Sequence, residues 1–166
     1  YFGHGLSSIV FQEIRESKAL AYATYAYLSS PGKRNRAHYL QAYIGTQPDK
    51  LRDAVEAFQT ILNDMPVSLP QIEHARQSVL KQIAVERIRH ADIYWNWRTT
   101  RERGFRHDLR QEVFSALQQA KPEDLIRFHN QHIKGRRYHW LVIGDEKRVD
   151  LKYLRSIGKV EKLTLE

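Results

Sequence analysis

The sequence contains no cysteine among its 166 residues. Disulfides, thiol nucleophiles and zinc sites built on thiolates are therefore excluded. Long apolar runs are absent too, since none reaches the roughly 18 residues that a membrane-spanning helix needs. The sequence opens at Tyr1, without a basic segment followed by an apolar one, so no targeting signal is recognisable. These absences predict a soluble fragment of a longer polypeptide, and they indicate no cellular compartment.

The composition is that of a globular protein. Apolar residues make up 42% of the 166 positions, which is enough to bury a core within one domain. We therefore expect residues 1–166 to form a single domain. The formal net charge is +8, and a surplus of this size attracts polyanions.

Seven arginines lie between residues 87 and 110, and four aromatic residues, Tyr94, Trp95, Trp97 and Phe105, are interleaved with them. A nucleic-acid surface uses arginine for phosphate contacts and aromatic rings for base stacking. The alternative is a pair of helices with a solvated basic face and an aromatic face packed in the core. The pattern favours this alternative, which makes nucleic acid an unlikely partner.

Hydrophobic periodicity predicts an α+β fold, in which an antiparallel or mixed sheet carries helices on one face. Alternation over 21–29 and 38–46, separated by Ser30-Pro31-Gly32, predicts a hairpin. Helical spacing follows after Pro48 and continues, with interruptions, to Ile133. The predicted helices are 6–17, 49–64, 68–90, 93–103, 110–119, 122–133 and 149–157, and further strands are predicted at 138–144 and 160–165.

The most informative segment is Gly3 to Tyr22, in which a glycine turn and Ser7-Ser8 precede an apolar helix that ends in Arg15-Glu16. Arg15 and Tyr22 lie seven residues apart, one at the end of a helix and one at the start of a strand. A cation and a phenol that converge in this way could bind a carbonyl or an oxyanion. The residues alone leave a second interpretation open, in which Arg15 only ends the helix and Tyr22 packs on the sheet.

This segment, the hairpin, the run IGTQPDKLRDAVEAF and the closing YHWLVIGD together resemble the insulinase/pitrilysin family of zinc metallopeptidases, which includes the mitochondrial processing peptidase subunits. The resemblance covers nearly the whole chain. It implies a C-terminal, non-zinc domain that forms one wall of a peptide-degrading chamber. It also implies that Arg15 and Tyr22 bind the substrate and stabilise the transition state, and that the fragment alone is inactive.

The zinc motif His-x-x-Glu-His is absent from the sequence. The nearest approach is Pro70-Gln71-Ile72-Glu73-His74, which has proline in place of the first ligand. His129 and His132 could share a metal by their spacing, but no carboxylate lies between them. We therefore interpret Glu73, His74 and both of these histidines as surface residues and expect neither a metal site nor a cofactor in this fragment. The resemblance places zinc in a partner half, in the same polypeptide or on another subunit.

Family members carry a strand and a helix ahead of the glycine turn at which this sequence opens. We therefore expect an open sheet edge, through which the chain could self-associate or bind an extended peptide. Two alternative functions stay open. One is a structural subunit without proteolysis, and the other, less favoured, is a nucleic-acid-binding module.

Overall fold

The computed structural model describes residues 1–3 and 5–163 and has an α+β architecture, as predicted. A helical segment at Phe11–Ser17 is followed by two strands, β1 (Ala23–Ser29) and β2 (Tyr39–Gly45), and a short 3-10 turn at Pro48–Lys50. Helices make up most of the remaining regular structure. They are α1 (Leu51–Asn63), α2 (Leu69–Val85), α3 (Ile93–Glu102), α4 (Arg110–Gln119), α5 (Pro122–His132) and α6 (Leu151–Ile157).

Strands β1 and β2 form an antiparallel hairpin, which confirms the alternation seen in the sequence. Tyr25 pairs directly with Tyr43, and their rings stack with centroids 5.3 Å apart. Tyr27 continues this aromatic row, with its ring centroid 6.2 Å from that of Tyr25. Thr24 and Ala26 point to the opposite face and are buried. One face of the hairpin therefore supports the core, and the other exposes its tyrosines.

The core lies between the inner face of the hairpin, the Phe11–Ser17 helix and α1. The helical spacing after Pro48 puts apolar residues on one face of α1, and Phe58, Ile61 and Leu62 on that face are all buried. Burial of such side chains is the main favourable term in folding. The cluster comprises Ile9, Val10, Ile14, Leu20, Ala26, Ala54, Ala57, Phe58, Ile61, Leu62, Met65 and Ile133.

The first helix differs from the expected α-helix over 6–17. Residues 9 and 10 are α-helical, but Phe11–Ser17 winds as a π-helix. The Phe11 amide donates a long hydrogen bond of 3.4 Å to Ser8 Oγ, which supports the role of this serine at the start of the helix. Segments of π-helix often occur at functional sites, and this one contains Arg15.

Helix α2 ends at Val85, five residues before the predicted end at His90. Val79 and Val85, two apolar residues in the second half of the helix, are 41% and 66% exposed. Helical stability in proteins comes mainly from packing of an apolar face. Because the last turn lacks that packing, the helix stops, and residues 86–89 continue without regular structure.

The strand predicted over 138–144 does not form. Tyr138 packs against the core and donates a hydrogen bond from its hydroxyl to Ile133 O at 2.9 Å, but Leu141 and Ile143 are 76% and 91% exposed. A strand needs a neighbour for its backbone groups, and the described residues supply none here. Residues 160–163 are likewise not a strand, and 164–165 lie outside the described residues.

No described helix combines the length and the apolar character required to cross a bilayer.

The backbone of Gly3 lies against β1, and its carbonyl accepts a hydrogen bond of 3.0 Å from Ala26 N. A Cβ at this position would overlap the backbone and side chain of Ala26. We expect Gly3→Ala to lower the free energy of unfolding by ~1–3 kcal/mol, because the strand and the turn must move apart. Urea unfolding would measure the loss. Gly32→Ala is the control, since a Cβ there meets no heavy atom within 4 Å; equal losses would contradict the prediction.

Candidate functional site

Arg15 lies on the π-helix, with its side chain 44% exposed. The guanidinium carbon lies 4.8 Å from the centroid of the Phe11 ring, and Arg15 Nε lies 3.8 Å from Glu16 Oε1. A cation over an aromatic face one turn away gains modestly from the ring quadrupole. Both contacts position the guanidinium without burying it, so it stays accessible to a ligand.

The linker between Arg15 and Tyr22 has a fixed backbone. The Ala19 amide donates to Arg15 O at 3.1 Å, and the Leu20 amide donates to Ile14 O at 2.9 Å. Ala19 adopts a positive φ of 49°, which is uncommon for a residue with a side chain. Leu20 is buried in the core. These contacts fix the backbone between the helix and β1, so the position of Arg15 relative to Tyr22 is fixed as well.

Tyr22 lies just before β1 and is 67% exposed. Its amide donates to Gly45 O at 2.8 Å, which ties it to the end of β2. Its hydroxyl accepts a hydrogen bond from Gln47 Nε2 at 2.6 Å. Thr46 Oγ1 donates to Leu20 O at 2.5 Å and closes the same junction from the other side. The phenol is therefore exposed to solvent, on a backbone that hydrogen bonds hold in place.

The structure brings Arg15 and Tyr22 to the two ends of one linker, but among the described residues no hydrogen bond joins them. Gln47, which contacts Tyr22, is a residue that the sequence did not single out. Its only signal is its place two residues after β2 and directly before Pro48.

The segment Pro70–His74 does not fit a zinc ion. Glu73 accepts hydrogen bonds from Arg76 Nε at 2.8 Å and from Gln77 Nε2 at 2.8 Å, and His74 is exposed. The carboxylate is thus already engaged. Within residues 1–3 and 5–163 no group of three or more His, Cys, Asp or Glu side chains could hold a metal. A hydrolytic zinc site needs three ligands and an open position.

The two histidines of α5, His129 and His132, differ in burial. His129 is only 3% exposed, and its ring centroid lies 6.4 Å from that of Phe2. His132 is exposed and packs on Phe128, with centroids 4.8 Å apart. Our interpretation of both as surface residues is therefore wrong for His129, which packs against the core because it lies one turn before Ile133.

The hydrogen bonds from Arg76, and then from Gln77, lower the pKa of Glu73 from its ordinary value of 4.5 to about 2. Because the folded-state pKa is depressed, the stabilisation is present above pH 4.5 and is lost as the pH falls toward 2. We expect Glu73→Gln to be less stable than wild type at about pH 7, and we expect the difference between their free energies of unfolding to be smaller at about pH 3. Chemical unfolding of both proteins at the two pH values measures this difference. A difference that is the same at both pH values contradicts the prediction.

The aromatic residues of α3 are exposed, contrary to the packing that the sequence favoured. Tyr94, Trp95 and Trp97 are 56%, 59% and 58% exposed, and α3 contains no buried residue. The hairpin loop adds basic residues to this surface, since Arg34 N donates to Glu102 O at 2.9 Å. Two basic segments that are distant in sequence therefore meet at the end of α3.

A shallow groove of about 460 Å³ lies between α2 and α4. Its lining includes Arg76, Leu80 and Phe114 and contains neither Arg15 nor Tyr22. Arg76 donates hydrogen bonds from Nη1 to the carbonyls of Leu117 and Gln118, both at 3.1 Å. These bonds join α2 to α4, so we interpret the groove as a consequence of how the two helices pack. The candidate site remains the segment from Arg15 to Tyr22.

Comparison with known proteins assigns the chain to a family. A family model described as the peptidase M16 inactive domain matches residues 1–99, which include Arg15, Tyr22, the hairpin and α1. No curated protein matches the sequence. The match supports a zinc-bearing half as the partner of this chain. The chain belongs to the insulinase/pitrilysin-like M16 peptidase family, as an inactive C-terminal domain.

Proposed function

We propose that residues 1–166 form a single non-catalytic domain that lines one wall of the peptide chamber of a zinc metalloendopeptidase. In this role Arg15 and Tyr22 contact the substrate bound by the zinc-bearing half. The observation that carries the proposal is the Tyr22 hydroxyl, which is exposed and yet held by Gln47 at the end of a fixed linker.

The chemistry of peptide hydrolysis gives these side chains a use. Attack on the scissile carbonyl produces a tetrahedral intermediate whose oxygen carries negative charge. A preorganised donor aimed at that oxygen lowers the barrier by ~3–4 kcal/mol. The phenol of Tyr22 can supply the donor, and the guanidinium of Arg15 can bind a substrate carbonyl through its forked N–H groups.

The hairpin offers a way to bind the rest of an extended peptide. Among the described residues β2 pairs only with β1, so the outer edge of β2 presents free backbone groups. Main-chain hydrogen bonds to a sheet edge give affinity with little dependence on sequence. The same edge supports our proposal of self-association, which concentration-dependent light scattering would test.

The experiment that tests the proposal is cleavage of a quenched fluorescent peptide by the parent assembly, meaning this chain together with its zinc-bearing half. Turnover that falls in Tyr22→Phe with zinc content unchanged supports the proposal. Turnover by the wild-type assembly that equals that of Tyr22→Phe removes Tyr22 from the site. If the wild-type assembly cleaves nothing, a structural subunit becomes the better assignment.

The exposed aromatic surface of α3 supports a second candidate, binding of single-stranded nucleic acid. Bases could stack on Trp95 and Trp97 while the surrounding arginines contact phosphates. This candidate requires an affinity for a random oligonucleotide that falls steeply with salt and is reduced by charge reversal at Arg98, Arg101 and Arg103. Fluorescence anisotropy that shows no binding at low salt would exclude it.

A further inference from the structure

We propose that Gln47 is a positioning residue that aims the Tyr22 hydroxyl at the substrate. The inference rests on the proposed function, because it concerns the same phenol. It adds a residue that lies 25 positions further along the chain and that acts through Tyr22 and not on the substrate itself.

The direction of the hydrogen bond between Gln47 and Tyr22 supports this role. Gln47 Nε2 donates to the Tyr22 hydroxyl oxygen at 2.6 Å. A phenol has one proton to donate and can also accept. Because the amide uses the accepting side of the oxygen, the phenol proton stays available for a second partner. A carboxylate in place of the amide would instead take that proton.

The backbone of Gln47 supplies the second argument. Gln47 is extended, with φ −73° and ψ 148°, as expected for a residue before proline. Its carbonyl accepts a hydrogen bond from Lys50 N at 3.0 Å, at the turn that leads into α1. The preceding residue, Thr46, is tied to Leu20 O. Gln47 is therefore fixed on both sides, and its side chain starts from a set position.

Because Tyr22 is exposed, a hydrogen bond such as the one from Gln47 is needed to orient its phenol. The phenol is 67% exposed, so packing alone does not select one orientation. A donor is effective in catalysis only when it is aimed in advance at the atom on which charge develops. The bond from Gln47 restricts the ring to one direction, while the backbone bond to Gly45 restricts where the ring begins.

The test uses a double-mutant cycle in the parent assembly, with cleavage of a quenched fluorescent peptide as the readout. We expect Gln47→Leu to lower kcat about tenfold, the effect of losing one orienting hydrogen bond, with KM little changed. In the Tyr22→Phe background the same substitution should have no further effect, because the hydroxyl that it orients is gone. Gln111→Leu, an exposed glutamine on α4, is the matched control and should leave kcat unchanged.

A pH profile separates positioning from a structural role. In Gln47→Glu the ionised carboxylate accepts the phenol proton, so we expect kcat to fall at neutral pH by at least as much as in Gln47→Leu. Below the pKa of the introduced carboxyl group its protonated form can donate again, and kcat relative to wild type should recover. A merely structural loss would not recover on acidification.

The outcomes are distinguishable. A large loss in Tyr22→Phe with wild-type kcat in Gln47→Leu overturns this inference and leaves the proposed function standing. Equal fold losses from Gln47→Leu in the wild-type and Tyr22→Phe backgrounds also overturn it, because Gln47 would then act elsewhere. Wild-type kcat in Tyr22→Phe overturns the proposed function, and this inference with it.

Discussion

Tyr22→Phe is expected to lower kcat of the parent assembly by about a hundredfold, at the lower end of the loss seen when one oxyanion donor is removed. The substitution deletes a single oxygen from a side chain that is 67% exposed, so stability should change little. KM should change less than kcat, because the hydrogen bond strengthens as charge builds on the substrate oxygen. Steady-state cleavage of a quenched peptide, with zinc content measured alongside, checks the prediction.

Tyr39→Phe is the matched control for this experiment. Tyr39 lies at the start of β2, is 61% exposed and pairs across the hairpin with Ser29, far in register from the Tyr22 end. We expect removal of the Tyr39 hydroxyl to leave kcat unchanged. Comparable losses in both variants would mean that the hairpin surface as a whole, and not one hydroxyl, is needed for turnover.

Ile14→Ala is expected to destabilise the fold by ~2–5 kcal/mol, the usual range for removing a large buried aliphatic side chain. Ile14 is fully buried in the core cluster, and its carbonyl accepts the Leu20 amide that sets the linker. The cavity would therefore loosen both the core and the path from Arg15 to Tyr22. Urea unfolding followed by circular dichroism measures the change.

Ile143→Ala provides the same chemical change in a different environment. Ile143 is 91% exposed, so its truncation should alter the free energy of unfolding by no more than ~0.5 kcal/mol. If the two variants lose similar stability, Ile14 does not contribute to a packed core in solution. If Ile143→Ala alone is destabilised, residues 138–143 pack in a way that this structure does not show.

Much of the fold was predictable because short-range patterns determine it. The alternation in 23–29 and 39–45 separates a tyrosine face from a core face, and the observed register follows it. The stripe in α1 repeats at helical spacing and is buried as expected. In both cases the apolar side chains repeat on one face of the element, so the pattern that predicts the element also predicts which face is buried.

The failures share one physical cause, which is dependence on a distant partner. The run YHWLVIG has strong strand propensity, but propensity alone does not form a strand without a neighbouring backbone. The aromatic residues of α3 are apolar enough for a core, yet no described element covers them. A local pattern states what a segment can bury, and the rest of the fold decides whether it does.

The candidate site divides in the same way. Arg15 and Tyr22 came from a motif at the junction of a helix and a strand, and the observed linker keeps them there. Gln47 had no such signal, because a side-chain hydrogen bond between residues 22 and 47 leaves no periodic trace in the sequence. The π-helical winding around Arg15 was equally unpredictable, since its apolar spacing is that of an α-helix.

Contact between this chain and a bound peptide is tested most directly by photocrosslinking in the parent assembly. An extended peptide with a photoreactive group beside the scissile bond would be bound, irradiated and digested, and the adducts located by mass spectrometry. We expect adducts in the fragments that contain residues 15–22 or 45–47. Adducts confined to the zinc-bearing half, or found on α3 instead, would contradict the assignment of Arg15 and Tyr22 to the substrate.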